Sequence, residues 1–246
     1  MTPDFLNLAI LVAIALFASF FAAITGGGVT VILLPVLVFQ FGIQAAMPIV
    51  TIALFAASAS RVAAYGRQVD FRPVWWFSLG SLPFTLLGTY LFTVAEPDLL
   101  TRVLGAFLIL AAAVRRLRSG HVTGFSPLWF LPLGMLYGLI TGITAVVAVL
   151  LAPFFLWYGL RKGAFVGTMA VNILLIQIVK LAVFGGRDYL DPPVLIHGAV
   201  LVPCMMAGTF LGGKMMDRVS EAAFVLAIEV VMVLAGLIFL TYGAGT

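Results

Sequence analysis

Apolar runs recur from one end of this chain to the other, and nothing else in the sequence constrains its fold as strongly. Most are about 17 to 25 residues long, the length that carries an α-helix across a hydrocarbon core about 30 Å thick. Hydrophobic residues make up 63% of the chain and charged residues only 9%, whereas a soluble domain needs roughly a quarter of its residues charged. The runs lack the period-two alternation of a barrel strand, and a helix satisfies its own backbone groups within the bilayer. The expected fold is therefore an all-α integral membrane protein. The first run, 5–24, is preceded by Asp4 and by no Lys or Arg. It lacks the basic region of a secretory signal and is read as a membrane helix.

Breaking the chain at Gly, Pro and charge clusters gives ten expected segments: 5–25, 28–40, 43–65, 73–94, 98–117, 125–141, 144–158, 162–184, 193–213 and 220–242. The second and seventh are short for a full span. A series of matches then relates the two halves. Ile24-Thr25-Gly26 returns as Ile140-Thr141-Gly142, Leu33-Leu34-Pro35 as Leu151-Ala152-Pro153, Gly42 as Gly159 and Thr51 as Thr168. Pro83 with Gly88-Thr89 returns as Pro203 with Gly208-Thr209. The order is kept at spacings of 116 to 120 residues, which predicts an internal repeat: 1–118 as the first unit, 119–123 as a linker and 124–246 as the second.

Charge in the connections sets an orientation. The connections at 61–72, 115–118, 161–162 and 214–218 are basic, and those holding Glu96 with Asp98 and Asp188 with Asp191 are acidic or balanced. Strict alternation of ten segments places every basic connection on one side, the positive-inside pattern, with both termini outside and 115–121 cytoplasmic. Five segments per half is an odd number, so the second half enters from the opposite face and the repeats are inverted. The hairpin opening each half is either fully spanning or re-entrant, since both give the same parity. The net charge of +4 is scattered between apolar runs, which fits membrane orientation and not a nucleic-acid surface. The single cysteine, Cys204, forms no internal disulfide, and no metal cluster or cofactor motif is present.

The most unusual stretch is Thr25-Gly26-Gly27-Gly28-Val29-Thr30, with its counterpart Thr141-Gly142-Ile143-Thr144. Glycine costs about 1 kcal/mol in a helix interior, so the triplet is expected to break the helix. The N–H groups of the following half-helix, near Gly28 and Thr144, then offer a positive dipole end to an anion. Threonine hydroxyls add hydrogen bonds, with Thr51 and Thr168 as a second symmetric pair. The competing reading is that these glycines serve only close helix packing.

The Gly26-Gly27-Gly28 triplet followed by Leu33-Leu34-Pro35, the Val69-Asp70-Phe71-Arg72 connection and the duplicated halves resemble the TauE/SafE family of sulfite and organosulfonate exporters. The resemblance implies export of a small anion, with sulfur oxyanions or sulfonates as cargo. The expected location is the cytoplasmic membrane of a bacterial cell.

Polar groups within the apolar segments are few. Asn172, Gln177 and Lys180 lie loosely on one face of the eighth segment, and Lys180 matches Arg61 in the first half. Asn172 and Lys180 are expected to contact the anion, unless Lys180 and Arg61 snorkel to the interface. Glu229, mid-way along the tenth segment, is the candidate for proton coupling, and His197 is a weaker one. Trp75, Trp76, Trp129, Trp157 and Tyr158 fall near segment ends, as interface anchors do. An anion carrier is the favoured function and an anion channel the alternative. The sequence holds no HExxH, nucleophile elbow or carboxylate pair, which argues against a membrane enzyme.

Overall fold

The computed structural model describes residues 11–20, 29–117, 126–144, 148–160 and 162–215, with positions 233, 236–237 and 239–241. Among them every regular element is helical: α1 (Leu11–Phe20), α2 (Val29–Tyr65), α3 (Phe71–Val94), α4 (Pro97–Leu117), α5 (Phe130–Thr144), α6 (Ala148–Trp157), α7 (Lys162–Gly185) and α8 (Pro192–Met215). Four stretches, covering α2, α3, α5 and α7, are long and apolar enough to cross a membrane. These helices overlay the first nine expected segments. The tenth lies almost wholly outside the described residues.

Local chemistry explains where the helices stop and turn. The Asp70 carboxylate accepts the Arg72 N–H at 2.9 Å and caps the start of α3. Asp191 does the same for α8, accepting the Val194 N–H at 3.1 Å ahead of Pro192 and Pro193. Proline at the first helical positions loses no needed donor. Gly42 interrupts α2 with φ 75° and ψ 163°, a backbone region essentially reserved for glycine, so α2 is two helices meeting at that residue. Gly159, its sequence counterpart, is the other described glycine with positive φ, at 106°.

The distribution of side chains is inverted relative to a water-soluble protein. Helix α3 buries Gly80, Ser81, Thr85, Gly88 and Thr89 and exposes Trp75, Leu79, Leu86, Leu87 and Leu91. The small and hydroxylated residues of α3 face the protein together with Val74, Phe77 and Phe92, while its exposed face is made of large apolar residues, as in helices whose surroundings are lipid tails. Trp75 and Trp129 are both more than 60% exposed, at the starts of α3 and α5, consistent with interface anchoring.

The deepest packing is between α3 and α5. A Cβ on Gly134 would strike the Phe77 carbonyl, one on Gly138 the Ser81 carbonyl, and one on Gly142 would lie 2.7 Å from the Thr89 nitrogen. Position numbers rise together along both helices, so α3 and α5 run parallel with their backbones touching. Helix α7 is parallel to α3, since Thr168 meets Asp70 and Asn172 meets Ser78. It is antiparallel to the second part of α2, since Gly163 meets Gln68 and Gly167 meets Tyr65. Helix α1 packs on α8, where the Ser19 hydroxyl donates to the Cys204 carbonyl at 3.2 Å.

The connections gather by charge. Gln68 lies against Gly163 and the Tyr158 hydroxyl donates to Asp70 Oδ2 at 3.3 Å, which joins the basic 61–72 and 161–162 connections at one end. At the other end the Tyr189 hydroxyl donates to the Thr93 carbonyl at 3.1 Å, and Phe92 packs on Phe184 and Tyr189. That end carries the acidic and balanced connections.

Candidate functional site

Polar side chains are buried along a seam where α3, α5 and α7 meet. At its basic-connection end, Thr168 Oγ1 accepts the Asp70 N–H at 3.0 Å. One turn further, Asn172 Nδ2 donates to the Thr168 carbonyl at 3.0 Å, and Asn172 Oδ1 accepts a long 3.4 Å bond from the Ser78 hydroxyl. Near the opposite end Lys180 is fully buried, and its Nζ donates to the Thr141 carbonyl at 3.1 Å. Thr168 and Lys180 are twelve residues apart, about 18 Å along α7 at about 1.5 Å per residue. Outside the spans, burial and then the nearby Asp70 carboxylate raise the Tyr158 phenol above its ordinary value, so it stays a donor to that carboxylate.

Lys180 does not snorkel. Its amine ends on a carbonyl of the last turn of α5, the negative end of that helix dipole. Among the described residues the one salt bridge is the exposed Arg102–Asp98 pair, so no carboxylate neutralises Lys180 there. Arg61, its counterpart, folds back along its own helix, donating to the Ala57 carbonyl at 3.2 Å and to Ser58 Oγ at 3.4 Å.

The helix end expected at Thr141 falls at Thr144, three residues later, so Thr141 to Thr144 are themselves helical. They are the closing turn of α5, Gly142 packs against Gly88 and Thr89, and the buried Thr144 hydroxyl returns to the Ile140 carbonyl at 2.9 Å. One glycine pressed against a neighbouring backbone is held in the helix, so Thr144 stands at a helix end and the next described helix begins at Ala148. Thr51 and Thr168 do not meet at a shared midplane. Each lies nine residues beyond its positive-φ glycine, on antiparallel helices. Measured from the Tyr65–Gly167 contact, Thr51 falls about level with Lys180, roughly 20 Å from Thr168. Its hydroxyl donates to the Met47 carbonyl at 2.8 Å. Thr30 is buried near the start of α2, and His197 is half-buried against Phe41, its Nδ1 2.6 Å from the Pro193 carbonyl. Thr25, Gly26, Gly27, Gly28 and Glu229 lie outside the described residues.

The structure adds a feature the sequence reading passed over. Ser81, Thr85 and Thr89 recur at every fourth position on the buried face of α3, and none of their hydroxyls has a hydrogen-bond partner. Hydroxyls in apolar helices usually return to the carbonyl four residues back, as those of Thr51, Ser60, Thr101 and Thr144 do. Gln177 Oε1 on α7 is likewise buried and unpartnered. The spacing of the three hydroxyls is plain in the sequence. Their lack of partners is not.

Comparison with known proteins agrees with this architecture. The profile described as Sulfite exporter TauE/SafE matches residues 11–239. No curated relative and no solved structure matches significantly. With nearly the whole chain covered, an all-helical fold and apolar helices of spanning length, this protein belongs to the TauE/SafE sulfite exporter family of membrane transporters.

Proposed function

We propose that the chain exports a small sulfur oxyanion or organosulfonate by alternating access, and that the buried seam of α3, α5 and α7 forms part of the route. The observation that carries this reading is Lys180, a buried amine whose hydrogen-bond partner among the described residues is a single main-chain carbonyl. A buried cation is costly unless paired, and a transiting anion supplies the missing charge. Two polar levels stand at opposite ends of the seam. Asn172 and Thr168 lie near the basic connections, with Arg61 about level with them across α2, and Lys180, Thr141 and Thr51 lie toward the other end. That disposition supports inverted repeats, since it pairs Lys180 with Arg61 and Thr51 with Thr168 about the middle of the bundle. The equivalent glycines Gly42 and Gly159, and the equivalent caps Asp70 and Asp191, support it too.

In this reading Gly26, Gly27 and Gly28 with Thr30 complete the site from the first half, with Gly142 and Thr144 shaping the second. Cargo enters at the basic, cytoplasmic end, and both termini are outside. Efflux of radiolabelled sulfite from proteoliposomes tests the proposal. Lys180→Gln is expected to lower saturable flux at least tenfold while Lys180→Arg retains a part of it. Full flux in Lys180→Gln would remove Lys180 from the route, and flux that never saturates would favour a channel.

A further inference from the structure

We infer that Tyr158 and Tyr189 are latches that hold α7 to α3 at opposite ends, and that releasing one of them opens the contact between the two helices at that end alone. The inference rests on the reading of alternating access. Helices α3 and α7 are both 24 residues long, run parallel and come from different proposed repeats. Movement of one repeat against the other therefore has to break whatever ties them.

Ties stand at both ends. At the basic end the Tyr158 hydroxyl donates to Asp70 Oδ2 at 3.3 Å, and the same carboxylate caps the first turn of α3 through the Arg72 N–H. At the other end the Tyr189 hydroxyl donates to the Thr93 carbonyl at 3.1 Å, in the last turn of α3. The two tyrosines flank α7, Tyr158 before its first residue, Lys162, and Tyr189 after its last, Gly185. Each sits in a closed turn of the left-handed kind that ends helices. Gly159 follows Tyr158 with φ 106°, and the Leu160 N–H closes that turn on the Phe155 carbonyl at 3.1 Å. Asp188 precedes Tyr189 with φ 60°, the one positive φ at a non-glycine among the described residues. There the Tyr189 N–H closes the turn on the Phe184 carbonyl at 3.0 Å.

Between the ends the fastening is thin. Beyond the 3.4 Å Ser78–Asn172 bond, the next buried hydroxyls along α3, those of Ser81, Thr85 and Thr89, have no partner. A single hydrogen bond at each end is weak enough to break in every turnover and strong enough to bias which end is open. The basic end also carries the Asp70 N–H bond to Thr168, and the other end the ring contacts of Tyr189 with Phe92 and Phe184. Neither of these uses a tyrosine hydroxyl, so removing that oxygen releases the latch and leaves the rest of the end in place.

The test is thiol labelling of the full-length protein in a Cys204→Ser background, with a membrane-impermeant reagent applied to intact cells and to inverted vesicles. Val74→Cys reports near the start of α3 and Val183→Cys near the end of α7. Val74 is buried one turn before Ser78, and Val183 is half-buried about three turns beyond Asn172, so both lie on the faces that the Ser78–Asn172 bond joins. Tyr158→Phe is expected to raise labelling of Val74→Cys at least threefold from the face at that end and to leave Val183→Cys unchanged. Tyr189→Phe should do the reverse. Unchanged labelling of its own reporter with either variant would overturn the inference. A rise at both reporters would also overturn it, because the hydroxyl would then be holding the whole pair together. Sulfite flux that never saturates in the unmodified protein is a separate failure, that of alternating access itself.

Discussion

At the scale of single residues, the buried hydroxyls of α3 separate stability from function. Thr85 is fully buried and its Oγ1 has no partner, so it contributes desolvation cost without a compensating bond. Replacing such a group with an apolar one of the same shape is nearly neutral or stabilising. Thr85→Val is therefore expected to leave the thermal unfolding midpoint in detergent unchanged or slightly raised while lowering sulfite flux. Thr51→Val is a contrasting case, because the Thr51 hydroxyl is satisfied within its own helix. A fall in stability for Thr85→Val with flux intact would mean that the hydroxyl serves the fold. Lys180 shows how little position along a helix says about a long basic side chain. Near a helix end it was equally suited to snorkelling and to burial, and the carbonyls closing α5 are what drew it inward.

At the scale of elements, the α3–α5 pair depends on backbones touching through glycine. In lipid no hydrophobic force drives helices together, so close van der Waals approach must do so. A methyl group on Gly138 would run into the Ser81 carbonyl, whereas one on Gly185 meets only the end of Leu190 at an ordinary 3.6 Å. Gly138→Ala is expected to destabilise the protein by about 1–3 kcal/mol, the usual range for overpacking, and Gly185→Ala by much less. Thermal unfolding of both variants in one detergent checks this, and equal midpoints would contradict the packing. The stripe Gly134, Gly138 and Gly142 repeats at every fourth residue and was open to view in the sequence. Which helix it faces was not, because a small-residue stripe fits any partner with a matching groove.

At the scale of the whole molecule, the ends of the bundle differ in charge, and the proposed orientation rests on that difference. Arg67 and Asp188 are both exposed, on the basic and the opposite connections respectively. In intact cells and a Cys204→Ser background, a membrane-impermeant thiol reagent is expected to label Asp188→Cys and to spare Arg67→Cys. The reverse pattern would invert the orientation and with it the direction of transport.

Membrane class, helical content and the family were all legible in the linear order of residues. The length of apolar runs, the places where Gly and Pro interrupt them and the sign of charge in each connection act locally and need no partner to be read. The positive-φ breaks at Gly42 and Gly159 belong to that class. Contacts between helices were decided only by the tertiary structure. It kept Thr141 to Thr144 helical by pressing Gly142 onto α3, set Thr51 and Thr168 at different levels, and buried Lys180 against Thr141. It also left Ser81, Thr85, Thr89 and Gln177 without partners. The reason is physical: in a chain whose segments are apolar all round, the sequence says that a helix crosses the membrane, but rotation and register are chosen by which neighbouring backbone the small residues allow to come close.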